Sequence, residues 1–520
     1  MKLRVLMPAC LLGLGACFSE QDAGPQIRPE PWANLVPRAW EASVAEGVLA
    51  LGSDMRITVA PGQPGALRTA EMLAAVLRAS TGWAVPVEAS EPDGTVHLAL
   101  DSSLEDLGPE GYELTVGPDG VDIRGFDDAG LFYGTQTLRQ LLPATVESAV
   151  VQKGPWALGN GTIRDRPRFA WRGLMIDVAR HFFSTEDLRR YVDVMALYKM
   201  NRLHLHLTDD QGWRIQIDAW PALATVGGST EVGGGEGGYY TKADYEAFVA
   251  YAQDRFVTIV PEVDMPGHTR AALASVPELN CDGQAPEPYT GTSVGISSLC
   301  IGTEETAAFV DGVIGEVAQL TPGSWIHVGG DEAQKTSDAD YVAFMSMVQE
   351  VVRAHGKQMV GWDEIGRIDL ETTTIAQHWA NEDTAVAASE QGARVLMSPA
   401  TRAYLDMKYD LWTPSGLGTF WAGFIDVSTA YDWDPGTWLS GVPESAVAGV
   451  EAAVWTETLD TVADLDVMIF PRLLGYAELG WSPWQGHDAA AYRVRLGAQG
   501  PRLTAKGIGF YRAPEVPWIE

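Results

Sequence analysis

Short apolar runs alternate with helical stretches from about residue 165 to the end of the chain. Eight such runs are present: RGLMIDVAR, RLHLHLTDD, FVTIVPEVD, SWIHVGGDE, KQMVGWDE, TTIAQHW, ARVLMSP and VAGVEAAVWTE. Between two of them, Thr241 followed by Asp244 is typical of the start of a helix, over KADYEAFVAYAQ. Alternating strand and helix over this length predicts an α/β fold, with a (β/α)8 TIM barrel over residues 161–520.

The region before the barrel has a mixed pattern. MRITVAPG and TVHLAL have the composition of strands, and YELTVGPDGVDIRG indicates a hairpin around a Pro-Asp-Gly turn. ALRTAEMLAAVLRAS and DDAGLFYGTQTLRQLL have the apolar spacing of helices. We predict a smaller α+β accessory domain over residues 30–160, without obvious chemistry of its own.

The first residues are typical of an exported protein. A basic start, MKLR, is followed by VLMPACLLGLG, which is apolar but too short to span a bilayer. The stretch LGAC resembles a bacterial lipobox, which predicts a lipoprotein-type signal peptide over residues 1–17, lipidation of Cys17 and a polar tether over residues 18–29. An ordinary cleaved signal peptide with a chance cysteine is the alternative. We expect a membrane-anchored protein in the periplasm or on a bacterial surface, since no later segment is apolar enough to cross a membrane.

The charge of the chain argues against nucleic acid as a partner. The 36 Lys and Arg side chains face 69 Asp and Glu side chains, which gives a net charge of −33. Such a surface repels phosphate backbones and anionic lipid headgroups. Because the acidic residues are spread along the chain, most of them indicate a solvated surface.

Two cysteines, Cys281 and Cys300, lie in a loop rich in Gly, Pro and Ser. In an exported protein such a pair predicts a disulfide that closes the loop. Two unrelated buried thiols are the alternative. A zinc site is not supported, because two thiols without a neighbouring histidine cannot complete a tetrahedral shell.

Polar and aromatic residues follow most of the predicted barrel strands, where the active site of a TIM barrel lies. Carboxylates and one arginine bind sugar hydroxyls through charge-assisted hydrogen bonds, and aromatic rings pack against the apolar faces of pyranose rings. The combination favours a sugar site. The candidate aromatic side chains are Trp362, Trp379, Trp421 and Trp455.

HVGGDE places two acids, Asp331 and Glu332, side by side after a strand. Most glycosidases hold two carboxyl groups on opposite sides of the scissile bond, which adjacent residues do not naturally do. The pair fits substrate-assisted hydrolysis instead, in which the 2-acetamido group of the sugar is the nucleophile. The preceding glycines would let the backbone turn so that both acids reach the cleft.

Two other functions are compatible with parts of the sequence. His204 and His206 lie on one face of a predicted strand, as in a metal-dependent hydrolase, but they precede the strand end and no further ligand cluster is expected to complete a shell. A non-catalytic sugar-binding protein on a barrel scaffold is the second alternative. Loss of the acid would be its simplest sign, yet both acids are present.

The chain resembles the β-N-acetylhexosaminidases of glycoside hydrolase family 20. HVGGDE is similar to the acid motif of that family, and DVARHFF, HLTDDQGWR, PEVDMPGH, GWDE, QHW, YLD and WTE match further family elements in the same order. The likeness covers about residues 165–500, and the preceding α+β region resembles the usual accessory domain. It implies exo-acting, retaining hydrolysis of terminal β-linked GlcNAc or GalNAc from oligosaccharides or glycoconjugates, with no metal and no cofactor.

The resemblance also implies a role for individual residues. Glu332 would be the general acid and base, and Asp331 would orient the attacking acetamido group. Asp209 and His268 would form a chain behind Glu332 that tunes its protonation. The other implied contacts are Arg180 and Glu457 with sugar hydroxyls, Tyr404 with the acetamido group, Asp406 with the acetamido group and hydroxyls, Trp362, Trp379 and Trp455 around the sugar, and Trp421 under the aglycone.

Overall fold

The computed structural model describes residues 30–90 and 94–519. The predicted signal peptide with Cys17 and the predicted tether lie outside these residues. A short helix α1 (Glu30–Ala33) comes first, before a sheet domain and a barrel. None of the helices in the described ranges has the length and apolar content needed to cross a bilayer.

The first domain is built on one seven-stranded sheet. Its strands are β1 (Glu41–Ala50), β2 (Ile57–Val59), β3 (Val87–Ala89), β4 (Val96–Leu100), β5 (Tyr112–Gly117), β6 (Gly120–Gly125) and β7 (Ala157–Asp165), and its main helices are α2 (Pro64–Thr81) and α3 (Asp128–Leu141). The strand order is β1-β7-β5-β6-β4-β2-β3. The helix α3 packs against β5 and β6, and α2 packs against α3 and β2.

The structure confirms the predicted α+β domain, but this domain ends later in the chain than the sequence predicts. The predicted hairpin forms, with β5 and β6 antiparallel. The strand β7 pairs antiparallel with β1 as far as Arg164 and with β5 as far as Asp165. The boundary predicted at residue 160 is therefore too early, because the last strand of this sheet ends only shortly before the first barrel strand.

The second domain is a closed barrel of eight parallel strands, which confirms the predicted TIM barrel. Its strands are β8 (Trp171–Asp177), β9 (Arg202–His206), β10 (Thr258–Glu262), β11 (Trp325–His327), β12 (Gln358–Trp362), β13 (Ile375–His378), β14 (Arg394–Met397) and β15 (Val447–Val454). Seven of these strands lie within the predicted runs, and β8 begins one residue before its run. Every residue of β8 and β15 is buried, and apart from Arg172, Asp177 and Glu451 these two strands contain only apolar residues and glycine.

Helices follow the barrel strands, and several begin at side-chain caps. They are α4 (Thr185–Leu197), α5 (Lys242–Gln253), α6 (Arg270–Ser275), α7 (Glu304–Leu320), α8 (Asp338–Ala354), α9 (Glu382–Glu390), α10 (Ala400–Ala403), α11 (Val427–Tyr431), α12 (Val462–Ile469), α13 (Arg472–Trp481) and α14 (Ala489–Ala505). The predicted start of α5 is confirmed, because the Thr241 hydroxyl accepts from the Asp244 amide in a capping box.

Cys281 and Cys300 form the predicted disulfide. The bond joins residues 19 positions apart and closes the loop between α6 and α7. Its effect is to restrict the unfolded chain.

Removal of this disulfide is expected to lower the free energy of unfolding by about 3 kcal/mol, the entropy of closing a loop of this size. The measurement is denaturant unfolding of a Cys281→Ser, Cys300→Ser variant against the parent protein. Thiol labelling of the unfolded, unreduced parent should modify neither cysteine. Full labelling of both would contradict a bond in the purified protein.

Candidate active site

A cleft of about 410 Å³ opens where the barrel strands end. It contains most of the predicted site residues, although they come from separate parts of the sequence. The lining residues are Arg180, His268, Thr292, Val294, Asp331, Glu332, Trp379, Tyr404, Asp406, Thr419, Trp421, Trp455, Glu457 and Thr458. Two other predicted residues, Asp209 and Trp362, lie behind this lining and are each 1 % exposed.

A turn after β11 brings the adjacent acids into the cleft together. Gly329 and Gly330 have φ values of +65° and +99°, and Glu332 has a φ of +46°. A Cβ on Gly329 would lie 1.7 Å from Asp264 Oδ1, so only glycine fits there. The amide of Gly330 donates to the same Asp264 oxygen at 3.1 Å. This left-handed backbone replaces the alternation of a regular strand, as the two glycines predicted.

One histidine nitrogen faces both acids. His268 Nε2 lies 3.6 Å from Asp331 Oδ2 and 3.5 Å from Glu332 Oε2. On its other side, His268 Nδ1 is 3.2 Å from Asp209 Oδ1. Burial would lower the pKa of His268, but the carboxylates of Asp209 and Asp331 raise it well above its usual range. A charged imidazolium therefore lies against both acids at neutral pH.

Asp331 and Glu332 differ in their surroundings. The Asp331 side chain is almost fully buried, whereas that of Glu332 is 28 % exposed. Burial raises the pKa of Asp331 to about 6, with His268 opposing the rise and Glu262 and Glu332 adding to it. Its Oδ1 is buried without a hydrogen-bond partner. Asp331 is one of the residues that line the cleft, and a carboxylate oxygen that lacks a donor is suited to accept a hydrogen bond from a ligand.

Arg180 is held in place by acids on several sides. Its guanidinium contacts Asp209 at 2.8 Å, Asp177 at 3.2 Å and Glu457 at 3.8 Å. It also lies 5.0 Å from the ring centroid of Trp455. Arg180 Nε also donates to Gln211 at 3.2 Å, so at least one of the five N–H groups of the guanidinium remains for a hydroxyl in the cleft.

Three aromatic rings form one side of the cleft. Trp379 and Tyr404 are nearly parallel, with centroids 6.3 Å apart, and Trp455 lies 6.0 Å from Tyr404. Trp421 stands edge-on to Tyr404 at 5.9 Å and is 60 % exposed, at the mouth of the cleft. Trp362 does not line the cleft: its ring packs against Trp455 at 5.7 Å, and its indole N–H donates to Glu262.

Asp406 lies on the loop that carries Tyr404. Burial, together with the nearby Glu457 carboxylate, raises the pKa of Asp406 to about 8. Its Oδ1 is buried without a partner, and Oδ2 is 3.4 Å from the Thr419 hydroxyl. At neutral pH the group is largely a carboxylic acid, which both donates and accepts hydrogen bonds.

A column of buried histidines and acids from β9, β10 and β11 contacts Asp209, which lies behind the cleft lining. Glu262 contacts His204 at 3.0 Å, His206 at 2.5 Å and His327 at 2.9 Å, and His206 contacts Asp209 at 2.9 Å. Further potential ligands do lie beside His204 and His206, which the sequence did not indicate. Parallel register places Glu262 beside both His206 and His327, and donor atoms of His204, Glu262 and His327 lie within 4.8 Å of one another.

The sequence did not identify every residue of the site. Thr419 and Thr458 line the cleft, as do Thr292 and Val294 from the loop closed by the disulfide. Glu364, in the GWDE motif, accepts from the Trp379 indole at 3.1 Å, and burial followed by the charge of Asp331 raises its pKa to about 8. Glu364 could have been found because it follows a barrel strand, whereas isolated threonines on long loops give no comparable signal.

Comparison with protein-family models matches both domains of the chain. The model described as glycosyl hydrolase family 20, catalytic domain, matches residues 169–341 and 335–484. The model described as glycosyl hydrolase family 20, domain 2, matches residues 33–166. These ranges meet between β7 and β8, where the structure also changes from sheet domain to barrel.

Individual relatives agree with these matches. A beta-N-acetylhexosaminidase of Cellulomonas fimi is 40 % identical over 500 residues, which cover 94 % of this chain and 98 % of the relative. The N-acetyl-beta-hexosaminidase of Streptomyces plicatus, solved in complex with Thio-NAglucal, aligns with a TM-score of 0.92 and 50 % identity, over 95 % of this chain and 99 % of that chain. A mutant of the Streptomyces plicatus enzyme with the product GlcNAc aligns equally well. The chain belongs to glycosyl hydrolase family 20.

Proposed function

We propose that the protein is an exo-acting β-N-acetylhexosaminidase that releases terminal, non-reducing GlcNAc or GalNAc from β-glycosides. The supporting observation is that Asp331 and Glu332 enter the cleft from one strand end and face the same nitrogen of His268. Both acids thus serve one side of the sugar, which leaves the role of nucleophile to the substrate. The presence of both acids also disfavours a non-catalytic sugar-binding protein.

In the first step, the Glu332 carboxyl donates its proton to the glycosidic oxygen while the acetamido carbonyl oxygen attacks the anomeric carbon. The C–O bond to the leaving group breaks, and a cyclic oxazolinium ion forms. Asp331 accepts a hydrogen bond from the acetamido N–H, and its negative charge stabilises the positive charge that develops on the ring. The Tyr404 hydroxyl donates a hydrogen bond to the attacking oxygen and holds it in line.

In the second step, the Glu332 carboxylate removes a proton from water, which attacks the anomeric carbon from the face that the leaving group vacated. The oxazolinium ring opens and the β configuration is restored, because two inversions give net retention. His268, backed by Asp209, keeps a positive charge beside Glu332 when it becomes anionic. The same contact stabilises Asp331.

A panel of aryl β-glycosides that differ only at positions 2 and 4 tests the proposal. The GlcNAc and GalNAc derivatives should be hydrolysed, while glucose and galactose derivatives should react far more slowly because they lack the acetamido group. The ratio of the hydrolysis rates of the GlcNAc and GalNAc derivatives then gives the preference for the configuration at position 4. Comparable rates with and without the acetamido group would reject the proposal.

A metal-dependent hydrolase is the alternative that the His204, Glu262 and His327 cluster raises. His204 Nε2 and His327 Nδ1 lie 3.0 Å and 2.9 Å from Glu262 oxygens, which is closer than two ligands of one zinc ion normally lie when each is about 2 Å from the metal. We therefore expect incubation with a chelator to leave activity unchanged. Inhibition by the chelator that added zinc reverses would favour the metal site.

We also propose that the protein is exported and anchored to a membrane by lipid on Cys17. The support is the sequence LGAC after a short apolar run, followed by a polar segment. Cys17→Ser is expected to move the protein from the membrane fraction to the soluble fraction without changing its specific activity. Cell fractionation and mass analysis of the N-terminus measure the two effects. Wild-type protein that carries no lipid and starts at another residue would contradict anchoring through Cys17.

A further inference from the structure

Three exposed aromatic residues lie on the loop at the mouth of the cleft. They are Phe420, Trp421 and Phe424, which are 63 %, 60 % and 43 % exposed. We call these three residues the aromatic rim. Large exposed apolar side chains that are grouped on one short segment are a feature of binding surfaces. Trp421 also lines the cleft, so the rim includes a residue of the cleft mouth, and its other two members lie one and three residues away along the same loop.

The rim is held rigidly. The rings of Phe420 and Phe424 are nearly parallel, with an interplanar angle of 14° and centroids 6.1 Å apart. The amide of Ile425 donates to the Lys408 carbonyl at 2.9 Å, and the amide of Lys408 donates to the Thr419 carbonyl at 2.8 Å. These bonds fix the chain on both sides of the rim.

The base of the same loop is tied down by one buried arginine. The guanidinium of Arg472, which is 1 % exposed, donates to the carbonyls of Leu405, Met407 and Ile425 at 2.5–2.8 Å. Tyr404 and Asp406 lie on this loop, so one scaffold positions the cleft residues and the rim. A rigid aromatic surface loses little conformational entropy on binding, which favours it as a docking site.

We infer that Phe420 and Phe424 bind a further sugar, beyond the one that packs on Trp421, in an oligosaccharide whose terminal residue occupies the cleft. This inference rests on the proposed function. The position of the rim determines the occupant, because it shares Trp421 with the cleft, and a chain whose non-reducing end lies in the cleft must leave through the mouth where Trp421 lies. Aromatic rings offer pyranose rings an apolar face without requiring a particular pattern of hydroxyls. Trisaccharides and longer chains are thus the preferred substrates.

The test compares kcat/KM for β-linked GlcNAc disaccharide, trisaccharide and tetrasaccharide, with an aryl β-GlcNAc as reference. For the parent protein, kcat/KM should rise roughly twofold to tenfold from disaccharide to trisaccharide, the range that one aromatic contact supplies. The Phe420→Ala, Phe424→Ala variant should lose this rise and keep its activity on the aryl glycoside. Trp412→Ala is the matched control, since Trp412 is an exposed aromatic residue on the same loop, and it should retain the rise.

A parent protein without a rise, or a double variant that keeps it, would overturn the inference. Hydrolysis of the aryl glycoside and the disaccharide shows in the same experiment whether the proposed function itself stands. Binding of both proteins to vesicles of anionic and neutral phospholipid is measured as well. If the double variant keeps the rise in kcat/KM but loses the vesicle binding of the parent, the rim contacts a lipid surface and the sugar site is rejected. Loss of the rise in Trp412→Ala as well would also reject a site specific to Phe420 and Phe424.

Discussion

Glu332→Gln is expected to lower turnover of an oligosaccharide about 10²–10⁴-fold, the usual contribution of general acid–base catalysis. A sugar leaving group needs a proton as the glycosidic bond breaks, and glutamine cannot supply one. An activated aryl leaving group departs as a stable anion, so the loss on such substrates should be much smaller in the glycosylation step. Steady-state kinetics with both kinds of substrate measure the difference.

Glu350→Gln provides the matched control for this prediction. It makes the same chemical change at an exposed position on α8, and both activities should stay at the parent level. Thermal unfolding of both variants shows whether the folded state has changed. If Glu332→Gln loses the same factor on both kinds of substrate while remaining folded, Glu332 is not the general acid.

Asp331→Asn is expected to lower turnover of N-acetylhexosaminides about 10²–10³-fold, as when one preorganised electrostatic contact to a transition state is removed. The buried carboxylate is the charge that offsets the developing oxazolinium ion, and an amide is neutral. Because the charge develops only during reaction, kcat should fall while the affinity for substrate changes little. Kinetics of both proteins with an aryl β-GlcNAc give the two parameters separately.

A substrate without the acetamido group separates this role from a general effect on the site. The parent protein should hydrolyse an aryl β-glucoside very slowly. Asp331→Asn should lower this rate little further, because the acetamido group with which Asp331 interacts is already absent. Equal losses on both substrates would mean that Asp331 acts on something other than the acetamido group. An inverted product, or a glycosyl ester trapped on a carboxylate of the protein, would contradict the whole mechanism.

The sequence predicted the barrel well and the sheet domain less completely. Strands such as β15 are buried along their whole length, so they must be apolar and are visible in the pattern. The strand β1 is exposed at nine of its ten residues, with sequence EASVAEGVLA, and carries no such signal. The strand β7, ALGNGTIRD, contains two glycines and an asparagine, which disfavour a strand locally, and its partners β1 and β5 lie far away in the sequence.

The site residues that directly follow a barrel strand were predictable from the sequence. The order of motifs led to Asp331, Glu332 and the residues around them, and the two glycines indicated the turn that the φ values show. The column around Glu262 was not predictable, because it depends on which residues face one another across β9, β10 and β11. Likewise, the burial of Trp362 behind Trp455 depends on packing between strands.

The central claim is that the acetamido oxygen of the substrate is the nucleophile. The most direct measurement is kcat for a series of aryl glycosides whose N-acetyl group carries an increasing number of fluorine atoms. Fluorine withdraws electrons and makes the carbonyl oxygen a poorer nucleophile, so kcat should fall steeply with each substitution. A kcat that stays flat across the series, while the compounds still bind, would show that the nucleophile comes from elsewhere.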